Sequence, residues 1–186
     1  MSIFVTADHH FGHANIIKFC NRPFAHADEM DLALIDNWNA VVGPDDIVYH
    51  LGDFTLNDSL SAWIHALQFK TMHIVPGGHD HRWLRNFCPQ ALGYRVEILP
   101  PLFNLELPSD GKYPHIVVMC HYPMLSWDRS HYGALHLHGH SHGTIPNGVS
   151  GDRQLPPGQR QGRRIDVGVD CHDFVPISLE PLMEEG

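Results

Sequence analysis

Short apolar runs, each cut off by Gly, Pro or Asp, recur along the chain at residues 3–7, 47–51, 71–75, 95–99, 102–107, 115–120 and 134–137, with closing runs at 164–169 and 174–179. Apolar runs of this length between turn residues read as β-strands. Elsewhere the period changes. Met30, Leu34, Trp38 and Val41 repeat at near-helical spacing between an N-cap at Asp28 and a stop at Gly43 and Pro44, which predicts a helix with its stripe in the core. Shorter helices are predicted over residues 15–20, 59–67 and 81–87. The first half thus reads β-α-β-α-β, whereas the consecutive runs between 95 and 120, separated by signals such as Pro108-Ser109-Asp110-Gly111, predict antiparallel neighbours and hence a mixed sheet. Residues 143–162 are rich in Gly, Pro, Asn, Gln and Ser with almost no apolar anchor, which predicts a long mobile loop, and Glu184 and Glu185 predict a frayed acidic end.

A length of 186 residues suits one domain over 1–186, large enough to bury a single core. No apolar run approaches the length of a membrane span, and the first residues lack the basic leader of a signal peptide, so a soluble cytoplasmic protein is expected. Cys20, Cys88, Cys120 and Cys171 form no C-x-x-C pair, which argues for reduced thiols and against a thiolate zinc knuckle. A formal net charge of -9 disfavours a sequence-independent grip on nucleic-acid backbones. That sum misleads locally, because 17 His outnumber the 12 Lys plus Arg, and bound divalent cations would turn the field positive where His gathers.

The His and Asp residues are not scattered. Five of the apolar runs end on them: Asp8 and His10, then Asp53, then His79 and Asp80, then His121, then His138, His140 and His142. In open α/β sheets, ligands collect beyond the carboxyl ends of the strands. Only Asp and His at five such ends describe a metal site assembled from the whole fold, and His140-Ser141-His142 would place two imidazoles on one side of an extended segment.

Read in order, Asp8-His9-His10, Gly52-Asp53, Gly77-Gly78-His79-Asp80, Cys120-His121 and Gly139-His140-Ser141-His142 resemble the motif series of the calcineurin-like metallophosphoesterase superfamily, D-x-H, G-D, G-N-H-D/E, H and G-H-x-H. The phrases around residues 10–15, 21–24 and 49–54 further resemble small bacterial and bacteriophage phosphoesterases. The resemblance implies an α/β fold of four layers, an α/β/β/α sandwich with two mixed sheets, as in metallo-dependent phosphatases. It implies two divalent metal ions, manganese foremost, with iron, nickel or zinc as alternatives. Asp8, His10, Asp53 and His142 would hold the first ion, and Asp53, His121 and His140 the second, with Asp53 bridging. Carboxylate oxygens and neutral imidazoles suit such ions. A metal-bridging hydroxide would attack phosphorus, His79 would contact the phosphate and assist the leaving oxygen, and Asp80 would orient His79.

Arg22 would reach a substrate phosphate through its fork of donors, with a solvated loop arginine as the alternative. His13 and Asn15 would line the pocket or cap the helix beside them, Arg82 would support the site or pair at the surface, and His9, His50 and His138 would lie behind the ligands. The chain departs from the motif at Gly78, where the family has an Asn that ligates the second metal. Either water or a neighbouring group would complete that ion's shell, and Asn at 78 would tighten it. The implied function is hydrolysis of small phosphoesters, diesters including cyclic nucleotides before monoesters. The alternative is a metal-binding scaffold for protein interaction, weakened in catalysis by Gly78.

Overall fold

In the computed structural model the chain runs β1 (Ile3–Thr6), α1 (Ala14–Phe19), α2 (Ala27–Val41), β2 (Ile47–His50), α3 (Ser61–Ala66), β3 (Thr71–Ile74), α4 (His81–Leu84), β4 (Val96–Ile98), β5 (Leu102–Leu107), β6 (His115–Cys120), β7 (Leu135–His138), β8 (Gly148–Val149), β9 (Arg163–Asp166), β10 (Ile177–Ser178) and α5 (Leu179–Glu184). The structure describes residues 1–57, 60–93, 95–109, 111, 113–151 and 161–184. The strands form two mixed sheets in the orders β10-β1-β2-β3-β4 and β5-β6-β7-β9-β8. In the first, β1 to β4 are parallel and β10 is antiparallel to β1. In the second, β6, β7 and β9 are parallel, with β5 and β8 antiparallel at the edges.

Strand alternation explains why these runs are apolar throughout. Val5 and Ala7, Tyr49 and Leu51, and Val75 face one way, into a cluster shared with Val117, Met119, Leu135 and Leu137 of the second sheet. The alternate residues Phe4, Val48, Met72 and Ile74 face a second cluster built with Ile16, Met30, Leu34, Trp38 and Ile64 of the helices. Both faces are buried, so neither shows a polar stripe. The two sheets therefore pack on each other, with α1, α2 and α3 on the outer face of the first. The outer face of the second is covered by Trp127 and Met124 against Ile116, Val118 and Ala134. Among the described residues no α-helical residue joins that cluster, so a fourth, helical layer is not seen there.

Other expectations shift for identifiable reasons. The run at 95–99 does not pair with its successor: β4 lies parallel to β3, and Pro100 and Pro101, which lack N–H donors, carry the chain across to the second sheet. Only β5 and β6 form the expected antiparallel pair of neighbours. The last run gives the two-residue β10 and then α5, whose Leu179, Leu182 and Met183 recur at helical spacing and close the cluster between the sheets. Within 143–162, Gly148–Val149 pairs with Arg164 and Arg163, so this part is a sheet edge; residues 152–160 lie outside the described residues, as do residues 58, 59 and 185. The N-cap of α2 lies two residues before Asp28, at His26, which accepts from Glu29 N while Glu29 Oε2 accepts from Ala25 N at 2.7 Å.

One core acid makes a stability prediction. Asp31 is buried on α2 and both its carboxylate oxygens accept from Gly12 N at 3.0 Å, yet burial pushes its carboxyl up to about 6 despite that contact. The folded state thus binds the proton more tightly than the unfolded chain, and stability present below pH 4 is lost as pH rises through 6. Asp31→Asn should melt at a higher temperature than the parent at pH 8 and at a similar one at pH 4; a lower melting point at pH 8 would show the Gly12 contact to outweigh desolvation.

Candidate metal centre

The strand registers bring the motif residues level. Thr6 pairs with His50 and His50 with Ile74, so β1, β2 and β3 end together, as do β6 and β7 through Met119 and Leu137. The loops beyond stay in register: Asp8 N donates to Gly52 O, His10 N to Asp53 O and Gly139 N to His121 O, each at 3.0 Å. His121 Nδ1 meets Leu51 O at 2.7 Å, and His140 N donates to Asp8 Oδ2 at 2.8 Å, tying the second sheet's loops to the first.

The backbone there is unusual. Asp8, His10, Asp53, His140 and His142 all have positive φ, between 46° and 67°. That region is sparsely populated by residues other than Gly and is held only where the surroundings over-determine it. It also corrects the expectation of an extended His140-Ser141-His142: left-handed turns, not strand alternation, aim the two imidazoles. Gly52 and Gly77 are required by close approach. A Cβ on Gly52, itself at φ +93°, would lie 2.4 Å from Gly77 N, and one on Gly77 would lie 2.4 Å from Asp53 Oδ1.

Two groups of donors result, Asp8 with His10 and His142, and Asp53 with His121 and His140, the ligand atoms of each lying within 4.8 Å of one another. Asp53 stands between them, its Oδ2 3.4 Å from His121 Nε2 and 3.7 Å from His10 Nε2. Asp8 Oδ1, His10 Nε2 and His121 Nε2 are buried without a hydrogen-bond partner. Buried polar atoms left so are costly, and a divalent cation satisfies this donor chemistry. The electrostatics point the same way. Burial pushes Asp8 up to about 7 against the pull of His142 and His121, and holds His10 and His140 neutral by lowering them. Burial also opposes charge on Asp53 and His121, but their mutual contact wins, keeping the carboxylate well below its usual range and lifting the imidazole to about 9.

His79 is about half exposed at the mouth of this cluster, its N donating to Asp53 Oδ1 at 2.8 Å and its Nε2 4.0 Å from Asp53 Oδ2. Its ring lies 5.4 Å from that of His10 and 6.2 Å from that of His13, which makes no capping hydrogen bond and so lines the site. Asp80 does not reach the His79 ring. It is fully buried, and its oxygens accept from Asp53 N, Phe54 N, Gly77 N and Trp83 Nε1 at 2.7 to 3.0 Å, which makes it a clamp between the loops after β2 and β3. Arg22 is likewise spoken for. Nε and Nη2 grip both oxygens of Asp170 at 2.8 Å, Nη2 also donates to Asp8 O, and Nη1 to His9 O and Met30 Sδ, leaving no donor for a substrate phosphate. Burial of the guanidinium is what forces this saturation. Arg82 holds Leu56 O, and His9 meets His50 at 2.9 Å behind the loop, where His50 Nδ1 accepts from Gly52 N.

Asp166 and Asp170 are the acids that the run at 164–169 concealed. The paired strand within it, β9, ends at Asp166, so these acids stand at a strand end like the others. Asp170 Oδ2 binds His142 Nδ1 at 2.6 Å and fixes that ring, and although burial opposes charge there, Asp170 and Asp8 together raise the His142 pKa. Asp166 accepts from Ser141 Oγ at 2.5 Å and from Gly143 N and Gly168 N, shaping the turn that carries His140 and His142. Cys20 also lies with His142 and Asp170 in a third donor group, though both oxygens of Asp170 are engaged by Arg22 and His142. No helix among the described residues is long and apolar enough to cross a membrane.

No family model matches this chain. The Gene 66 protein of Mycobacterium phage D29 is 27% identical over 196 residues, covering 95% of this chain and 92% of that protein. The crystal structure of AQ665 from Aquifex aeolicus, a protein of unknown function, shares the fold at a TM-score of 0.64 with 24% identity, covering 97% of each chain. The uncharacterized protein MJ1445 of Methanocaldococcus jannaschii is 30% identical over 190 residues, covering 99% of this chain and 92% of that protein. With that identity sustained along both sequences, the chain belongs to the family of MJ1445.

Proposed function

We propose that this protein is a metal-dependent phosphoester hydrolase of the calcineurin-like type, holding two divalent ions, with manganese foremost and iron, nickel or zinc as alternatives. Its substrates would be small diesters, cyclic nucleotides among them, and its architecture the core of two face-to-face mixed sheets that metallo-dependent phosphatases share. One observation carries the reading: two three-residue donor groups share a rim, and Asp53 faces both. Two cations bound there would lower the pKa of a bound water and offset charge on a phosphoryl group. Asp8, His10 and His142 would hold one ion and Asp53, His121 and His140 the other, with the Asp53 carboxylate spanning the pair.

The chain's own residues supply the remainder. Leu51 O holds His121 Nδ1 and Asp170 holds His142 Nδ1, so that once a cation displaces the remaining ring proton each Nε2 would be the ligating atom. His79 reaches out from a loop whose backbone Asp80 immobilises, so its half-exposed imidazole can give a proton to a departing alkoxide. Burial of Asp8, His10 and His121 excludes bulk water from behind the metals, while the open side next to His79 admits substrate.

Release of p-nitrophenol from bis(p-nitrophenyl) phosphate with added manganese, abolished by a chelator, tests the reading; metal retained with no turnover on diesters or monoesters would favour the scaffold alternative that Gly78 raises. Asp170→Asn should weaken manganese binding about 10- to 100-fold by removing the carboxylate that orients His142. Titration calorimetry reads that loss directly, and unchanged affinity would remove Asp170 from the centre.

A further inference from the structure

We propose that Tyr122 is a phosphate-contacting residue whose hydroxyl occupies the space left by the missing side chain at Gly78. The inference rests on the hydrolase reading for its substrate and on local geometry for its residue. A Cβ built on Gly78 would have the Tyr122 hydroxyl 3.2 Å away and no other described atom beyond its chain neighbours within 4 Å. The position is exposed and adjoins His79, so the hydroxyl stands at the open side of the cluster. Edge contacts hold the ring, whose centroid is 4.8 Å from that of His121 and 4.7 Å from that of His140, both in the second donor group. Tyr122 is nevertheless 47% exposed. It faces the site with one wet edge and a polar tip.

The chemistry suits an anion. A phenol hydroxyl donates one hydrogen bond, and a bond to a charged phosphate oxygen is among the stronger kinds. The tyrosine side chain turns about only two bonds and sacrifices little freedom in holding that pose. Residues 78 and 122 then compete for one volume. An amide at 78 would have to push the hydroxyl aside, so glycine at 78 and tyrosine at 122 form a matched pair, and their substitutions should not be additive.

Inorganic phosphate titrated calorimetrically into the manganese-loaded protein is the test, with metal content and melting temperature measured alongside. Tyr122→Phe should bind phosphate about tenfold more weakly or worse, at parental metal content, and raise KM for bis(p-nitrophenyl) phosphate more than it lowers kcat. Gly78→Asn combined with Tyr122→Phe should recover most of that affinity. Parental phosphate affinity in Tyr122→Phe, a loss that follows lost metal, or no recovery in the double variant would each overturn the assignment. The two readings fail separately. Tyr122-dependent phosphate binding without ester hydrolysis would sink the hydrolase and keep the contact, whereas hydrolysis indifferent to Tyr122→Phe would do the reverse. A loaded parent protein that binds no phosphate would overturn both.

Discussion

Asp53→Asn is expected to eliminate binding of the ion pair and to lower manganese-dependent diester hydrolysis about 10²- to 10³-fold, the scale of losing one preorganised electrostatic contact from an active centre. The substitution is informative because the two oxygens have different work. Oδ1 accepts from His79 N, a bond that an amide oxygen can keep, whereas Oδ2 faces His10 and His121. An amide nitrogen in the second place offers no lone pair and turns N–H groups towards any cation. The loop after β2 should therefore stay folded, held by the contacts of Asp80 to Asp53 N and Phe54 N, while the centre fails. Far-ultraviolet circular dichroism together with elemental analysis separates the two effects. Retention of two equivalents of manganese at the parental rate would contradict the bridging role.

His79→Asn should be nearly as severe, but only where the leaving group needs help. Proton transfer by a positioned side chain contributes about 10²- to 10⁴-fold, and an alkyl or nucleoside alkoxide departs poorly without it. The variant should lose most of its rate on cyclic nucleotides and alkyl diesters and far less on bis(p-nitrophenyl) phosphate, whose phenolate leaves unaided. Metal content should be unchanged, since the His79 side chain lies outside both donor groups. Equal losses on both substrate classes would instead assign His79 to substrate binding. The outcome also bears on Gly78, because a chain that kept its ions but had become a scaffold would show neither the rate nor its leaving-group dependence.

Much of the site was legible in the sequence because it obeys a local rule. Parallel strands buried on both faces read as uninterrupted apolar runs, and the residues just beyond their carboxyl ends meet at one rim whatever the loop lengths between them. That rule marks Asp8, His10, Asp53, His79, Asp80, His121, His138, His140 and His142, the resemblance to the calcineurin-like motif series singles out six of them as ligands, and the structure brings Asp8, His10, Asp53, His121, His140 and His142 into two adjoining groups. The same rule missed Asp166 and Asp170 only because Val167 and Val169 continue the apolar pattern past the last paired residue of β9. Alternation of side chains cannot show where ladder hydrogen bonds stop.

What the sequence by itself determined, then, is an α/β chain with mixed sheets and a crowd of oxygen and nitrogen donors at its strand ends, since burial and backbone sterics act over a few residues and leave a periodic trace. Tertiary structure alone decided how those donors are used. Arg22 meets Asp170 across 148 positions of chain, Asp80 turns from the His79 ring to four N–H groups, left-handed backbone aims His140 and His142, and Tyr122 stands over Gly78. Each of these depends on which loops arrive beside one another, because a buried charge takes whichever partners the packed fold places within reach, and no spacing along the chain records that distance.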